Sequence, residues 1–105
     1  GSYAGICNID CSENTSIGYA ALYTNVASCN TGVGSRALCA NTTGTKNVAV
    51  GYNTLSTNVT GDNNTAVGVE AAFKTTAGDN TAIGSSALRC NIGGCFNSAL
   101  GTHAL

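Results

Sequence analysis

Asn64-Thr-Ala-Val-Gly-Val-Glu-Ala-Ala72 is followed, sixteen residues on, by Asn80-Thr-Ala-Ile-Gly-Ser-Ser-Ala-Leu88. The same pattern recurs outward from this pair, in Asn14-Thr-Ser-Ile-Gly-Tyr-Ala-Ala-Leu22, Asn30-Thr-Gly-Val-Gly-Ser-Arg-Ala-Leu38, Asn47-Val-Ala-Val-Gly-Tyr-Asn-Thr-Leu55 and Asn97-Ser-Ala-Leu-Gly-Thr-His-Ala-Leu105. The leading asparagines are 16, 17, 17, 16 and 17 residues apart. The consensus is N-T-A-[VI]-G-x-x-A-L followed by a variable loop of seven or eight residues. Asn and Gly hold their places in six of six copies, which composition bias alone does not produce. Residues 1–13 read as a partial copy, Gly1 standing 17 residues before Gly18.

A period this short and this regular specifies a solenoid, in which each repeat is one coil stacked on the next. The expectation is an all-β fold, a parallel β-solenoid of about six coils spanning residues 1–105 as one segment of a longer array. Strand side chains alternate between faces. The rank Ile17, Val33, Val50, Val67, Ile83 and Leu100 is expected to face the coil interior. The following glycines are expected to turn the chain where a Cβ does not fit. Each coil is expected to cross a second short strand, from which the Leu rank should close the core, with Phe73 filling the gap left by Ala72. The Asn rank can bond turn backbone or form a ladder. By the same parity the small residues Ser16, Gly32, Ala49, Ala66, Ala82 and Ala99 should face outward. An outward rank with no long polar side chain reads as a self-association surface between copies of the chain.

Composition narrows the function. Gly, Ala, Thr and Asn occur 13 to 15 times each, and nine residues are charged, for a net charge of −1. Phosphate binding needs clustered Lys and Arg, so nucleic acid is not an expected partner. No run of residues is apolar enough for membrane insertion. Thin cores of this kind draw stability from repetition, disulfides or other copies.

The segments N-T-A-V-G and N-T-A-I-G-S-S-A-L resemble the head repeats of trimeric autotransporter adhesins, the YadA-like family, and similar repeats in phage and viral tail fibres. The resemblance covers nearly the whole chain through its six copies. It implies a left-handed parallel β-roll assembled as a trimer or a stacked filament, with no catalysis and no cofactor. It also implies a place outside the cell, on a virion or on a cell surface, and adhesive contact with a surface or matrix ligand is the corresponding family expectation.

Six cysteines fit an oxidising compartment. The repeat register suggests the pairings Cys7–Cys11, Cys29–Cys39 and Cys90–Cys95, and a bridge between Cys29 and Cys39 would contribute roughly 2–3 kcal/mol. Asn41, Asn58 and Asn63 head loop sequons and are glycosylation candidates. Asp62 and Asp79 occupy equivalent Gly-Asp turns and form a weak Ca²⁺ candidate, the alternative being turn caps. The carboxylates are otherwise scattered (Asp10, Glu13, Glu70), and His103 stands beside no nucleophile, so an enzyme is not expected. A structural, extracellular fibre is the leading expectation. An ice-binding solenoid is the alternative, resting on Thr15, Thr31, Thr65 and Thr81. That rank shares the parity of the aliphatic rank and is therefore expected to point inward.

Overall fold

The computed structural model describes residues 1–7 and 11–105. The chain is an all-β solenoid. Each coil contributes one three-residue strand: β1 (Thr15–Ile17), β2 (Thr31–Val33), β3 (Val48–Val50), β4 (Thr65–Val67), β5 (Thr81–Ile83) and β6 (Ser98–Leu100). The strands form one parallel sheet in sequence order. Every consensus position pairs with its own equivalent, as in Ala49 with Ala66 and Val50 with Val67. Parallel strands require a return connection, and here the rest of each coil supplies it.

The return path is built from backbone that L-residues seldom adopt. Among the described residues, eighteen non-glycine residues have positive φ, and they recur at three places per coil: the residue before each leading Asn, the sixth after it and the eighth after it. Leu22, Leu38, Leu55 and Leu88 are all in this conformation, with φ near 50°. Each such residue costs on the order of 1 kcal/mol or more. No isolated coil could sustain three of them. Hydrogen bonds to neighbouring coils offset the cost, since amides around the coil pair with carbonyls one coil away, as Leu38 N–H does with Thr54 O and Arg36 N–H with Tyr19 O.

The consensus glycines have φ of 118–136°. They also lie backbone on backbone: a Cβ on Gly34 would stand 2.5 Å from Gly51 O, and one on Gly84 2.5 Å from Gly101 C.

Among the described residues the hydrophobic core consists of Ala and Leu. It reverses one sequence expectation. The middle residue of each strand faces inward: Ala49, Ala66 and Ala82 are fully buried and Ala99 nearly so. Gly32 is buried and Ser16 half-buried. The aliphatic rank faces outward, with Ile17 58% exposed and Ile83 39%. The reason is room. The lumen is already occupied by the Leu rank, buried from the opposite limb, and by stacked asparagines. Only a methyl-sized slot remains opposite the sheet: even a Cβ on Gly32 would meet Leu22 Cγ at 3.2 Å and Ala37 O at 3.1 Å. Ser16 fits because its hydroxyl donates to Ala21 O at 2.7 Å. Phe73 does not fill the space beside the buried Ala72; it lies partly exposed, its ring under the Arg89 guanidinium at 5.4 Å.

Two asparagine ladders run through the interior. In the first, the backbone N–H of Asn30, Asn47, Asn64, Asn80 and Asn97 each donates to the side-chain oxygen of the preceding leading Asn, at 2.8–3.1 Å. The second stands eleven residues after each leading Asn: Asn25, Asn41, Asn58, Thr75 and Asn91. Asn41 Nδ2 donates to Asn25 Oδ1 at 2.6 Å and Asn58 Nδ2 to Asn41 Oδ1 at 3.0 Å. Where the two ladders approach one another, a single corner carbonyl accepts from both. Gly44 O takes Asn30 and Asn41, and Gly61 O takes Asn47 and Asn58. In the 16-residue coils an alanine does this work, two residues after the ladder position rather than three, as Ala27 O does for Asn14 and Asn25. Glycine is needed in the longer coils because a Cβ on Gly44 or Gly61 would lie 2.4–2.5 Å from the adjacent Asn Oδ1.

Thr75 interrupts the second ladder. Asn58 Oδ1 and Thr75 Oγ1 are both buried without a hydrogen-bond partner. Thr75→Asn should return a donor to Asn58 Oδ1 and bond the Ala77 carbonyl, as Asn25 bonds Ala27 in the other short coil. The expected gain is about 1–2 kcal/mol, read as a higher urea midpoint with unchanged slope. A lower midpoint would show that the short coil has no room for the amide.

Candidate functional site

The parity of the strands places the candidate site on the outer face of the sheet. With the middle residue inside, the first and third residues of every strand point out. One rank is Thr15, Thr31, Val48, Thr65, Thr81 and Ser98; the other is Ile17, Val33, Val50, Val67, Ile83 and Leu100. All twelve are half-buried or exposed. Seven are aliphatic, five are Thr or Ser, and none is charged. The Thr rank thus points outward, contrary to the sequence expectation, because it shares the parity of the aliphatic rank and both are excluded from the narrow lumen.

In-register pairing makes this face regular. Neighbouring strands are about 4.8 Å apart, and alternate residues of one strand about 6.6 Å. Past the glycine bend, on the next limb of the coil, Tyr19, Tyr52 and Val69 are 48–51% exposed. A stripe of this composition on an open sheet is unusual, because solvated sheet faces ordinarily carry charged side chains. Contiguous exposed apolar surface marks a contact site.

The other sequence-predicted positions fall elsewhere. The small rank offered as the self-association surface, Ser16, Gly32, Ala49, Ala66, Ala82 and Ala99, lines the lumen and cannot touch another copy. Asn41 and Asn58 are fully buried members of the second ladder, so neither amide can carry a glycan in the folded coil. Asn63 is exposed, donating to Asp79 Oδ1 at 3.2 Å.

Asp62 and Asp79 lie one coil apart as expected, but each caps the coil before it. Asp62 Oδ1 accepts from Thr45 N–H at 2.7 Å and Thr45 Oγ1 at 3.1 Å, while Asp79 takes Asn63. No group of three His, Cys, Asp or Glu residues able to hold a metal occurs among the described residues. Asp10 lies outside them.

All six cysteines, Cys7, Cys11, Cys29, Cys39, Cys90 and Cys95, are free thiols, so the expected pairings are not formed. Cys29 and Cys39 occupy different corners of their coil and have other partners: Cys29 Sγ donates to Glu13 Oε2 at 3.2 Å and Cys39 Sγ to Ser56 O at 3.5 Å. The hydrogen bond to Glu13 raises the Cys29 pKa, and burial raises that of Cys39. Both shifts favour the protonated thiol over the nucleophilic thiolate. His103 is exposed at the variable sixth position.

Among the described residues no helix is long and apolar enough to cross a membrane. Comparison of the chain with protein-family models, curated proteins and solved structures finds no match.

The second ladder escaped the sequence reading, although its mark was present: Asn recurs eleven residues after the leading Asn in four of five coils. Two of those residues, Asn41 and Asn58, also head sequons, which drew them to the surface in the sequence reading.

Proposed function

We propose that the chain is a structural, non-catalytic component of an extracellular fibre, self-associating with copies of itself through the outer face of the sheet. The observation that carries this reading is the uncharged double rank of Thr and aliphatic residues on six stacked strands. Covering it removes apolar surface from water at about 25 cal/mol per Å². The residues are already ordered by coil stacking, so little side-chain entropy is lost on association. The repeat likeness to adhesin heads and tail fibres supports the same role and a secreted or surface location. A glycan on Asn63 and a surface or matrix ligand are compatible with it.

The double variant Val50→Lys, Val67→Lys places two cations at the centre of the face, where a copy must desolvate them. Both positions are outward, so the coil should remain folded. Sedimentation velocity should show the parent chain as an oligomer or filament and the variant as a monomer with unchanged circular dichroism. A parent chain that stays monomeric up to millimolar concentration overturns the proposal.

The outward Thr rank specifically favours one second reading, an ice-binding face. Regular hydroxyls beside methyl groups at sheet spacings could order water in the manner of a lattice. Thermal hysteresis distinguishes the two: ice shaping abolished by Thr65→Lys would establish the second reading over the first.

A further inference from the structure

A cleft on the second limb of the coil, separate from the outer sheet face, carries a chemistry the fibre role does not use. Tyr3, Tyr19 and Tyr23 meet there across two adjacent coils. The Tyr3 ring stands edge-on to Tyr19 with centroids 5.7 Å apart and edge-on to Tyr23 at 6.0 Å. All three remain substantially exposed, at 53, 49 and 39%. With Ala20, Arg36 and Cys39 they line an open cleft of about 360 Å³.

Three features of the cleft go beyond packing. First, the rings are not needed to close the core, which is complete from Ala and Leu. Second, their positions are rigid. Arg36 N–H bonds Tyr19 O at 2.8 Å, and Ala20 N–H bonds Ser2 O at 2.9 Å, so the backbone beneath the rings belongs to the coil stack. Third, the Arg36 guanidinium is exposed and, among the described residues, has no ion-pair partner; the ion pair present joins Arg89 to Glu70. An edge-to-face pair covers one ring face and leaves the others open, and an open face accepts the C–H surface of a sugar ring. Phenolic hydroxyls and a guanidinium at the rim suit hydroxyls and a carboxylate.

The geometry points to a binding site for an acidic glycan, a pyranose chain bearing carboxylates, with one ring packed on the tyrosines and its carboxylate on Arg36. The cleft takes one to two sugar rings by volume, within the lower range of ligand pockets. The site stands whether or not the outer face associates, so its test is independent of the fibre proposal.

The probe is a hexameric oligogalacturonate, compared with its methyl ester, which keeps the rings and removes the charge. Titration of the folded chain is followed by NMR of labelled tyrosines, with Tyr52, two coils away from Tyr19, as the internal reference. The acid should shift Tyr3, Tyr19 and Tyr23 and leave Tyr52 in place. It should bind more tightly than the ester, with an advantage that falls as salt is added. Arg36→Gln should weaken the acid about tenfold, the loss of one charge-assisted contact, and leave the ester unchanged. Tyr23→Ala should weaken both, and circular dichroism should show both variants folded. Absence of shifts with either probe overturns the proposal, as do shifts that persist undiminished in the variants.

Discussion

Gly51→Ala is expected to destabilise the chain by about 4 kcal/mol, a large share of the 5–15 kcal/mol that holds a typical domain together. Two costs combine. The backbone at Gly51 has φ 136°, a region essentially closed to residues with a Cβ. The added methyl would also lie 2.5 Å from Gly68 O, 2.7 Å from Gly68 C and 2.8 Å from Thr54 Oγ1. The first two are backbone atoms of the neighbouring coil and cannot turn aside, so the coils must part. Two controls separate the terms. Gly101 has φ 118° but nothing within 4 Å of its built Cβ, so Gly101→Ala should carry the torsional cost alone. Gly93 has open space and no positive φ, so Gly93→Ala should be nearly neutral. Urea unfolding of the three variants should therefore rank 51, 101, 93 in order of loss. Equal losses at 51 and 101 would mean that close coil contact contributes nothing.

Asn47→Ala is expected to cost about 3–4 kcal/mol. The residue joins three coils: its Oδ1 accepts the Asn64 N–H at 2.9 Å and its Nδ2 donates to Gly61 O at 2.8 Å, both lost on truncation, while its backbone N–H, which stays, donates to Asn30 Oδ1 at 3.0 Å. Truncation strands the buried Asn64 N–H, a loss of about 1–3 kcal/mol, and leaves a cavity as well. Asn63→Ala supplies the contrast. That side-chain amide is exposed and bonds Asp79, and the left-handed backbone there (φ 59°) suits Asn better than Ala, so the substitution should cost about 1 kcal/mol, well below the loss at 47. Hydrogen exchange at Asn64 gives the local readout: its amide should lose protection in Asn47→Ala and keep it in Asn63→Ala. Unaltered protection would refute the ladder.

The coil itself was legible in the sequence. The 16- and 17-residue spacing gives one coil per copy, and the Asn, Gly and Leu ranks stand in the structure as ladder, close contact and core, but the second short strand expected on the Leu limb is a run of turns, as over 35–40 and 52–57. What parity alone could not supply was which face of Thr-Ala-Val is inside. Ordinary burial preference puts Val50 in and Ala49 out. That preference assumes space, and the space depends on what the opposite limb contributes. Leu38, Leu55 and the two Asn ladders fill the lumen before the strand does. The same assignment hid the candidate site, because a face presumed to be core is not searched for contacts. The αL conformation of the leucines was also beyond reach, since nothing about leucine proposes it and coil stacking imposes it.

The corner that closes the two ladders has a consequence for how such a chain can change length. A Gly carbonyl three residues on, or an Ala carbonyl two residues on, reaches the same pair of amides. The carbonyl always stands three residues before the next leading Asn, as Ala27, Gly44 and Gly61 do, whereas the chain between the ladder residue and that carbonyl carries no obligation to keep a fixed count. Extra residues inserted there would bulge from the surface without moving a strand, a ladder or the stacking distance. Loop length and coil number are thus separate variables, and a foreign peptide grafted after the exposed Thr60, between Asn58 and Gly61, would be displayed at a known height on a rod whose pitch it does not disturb.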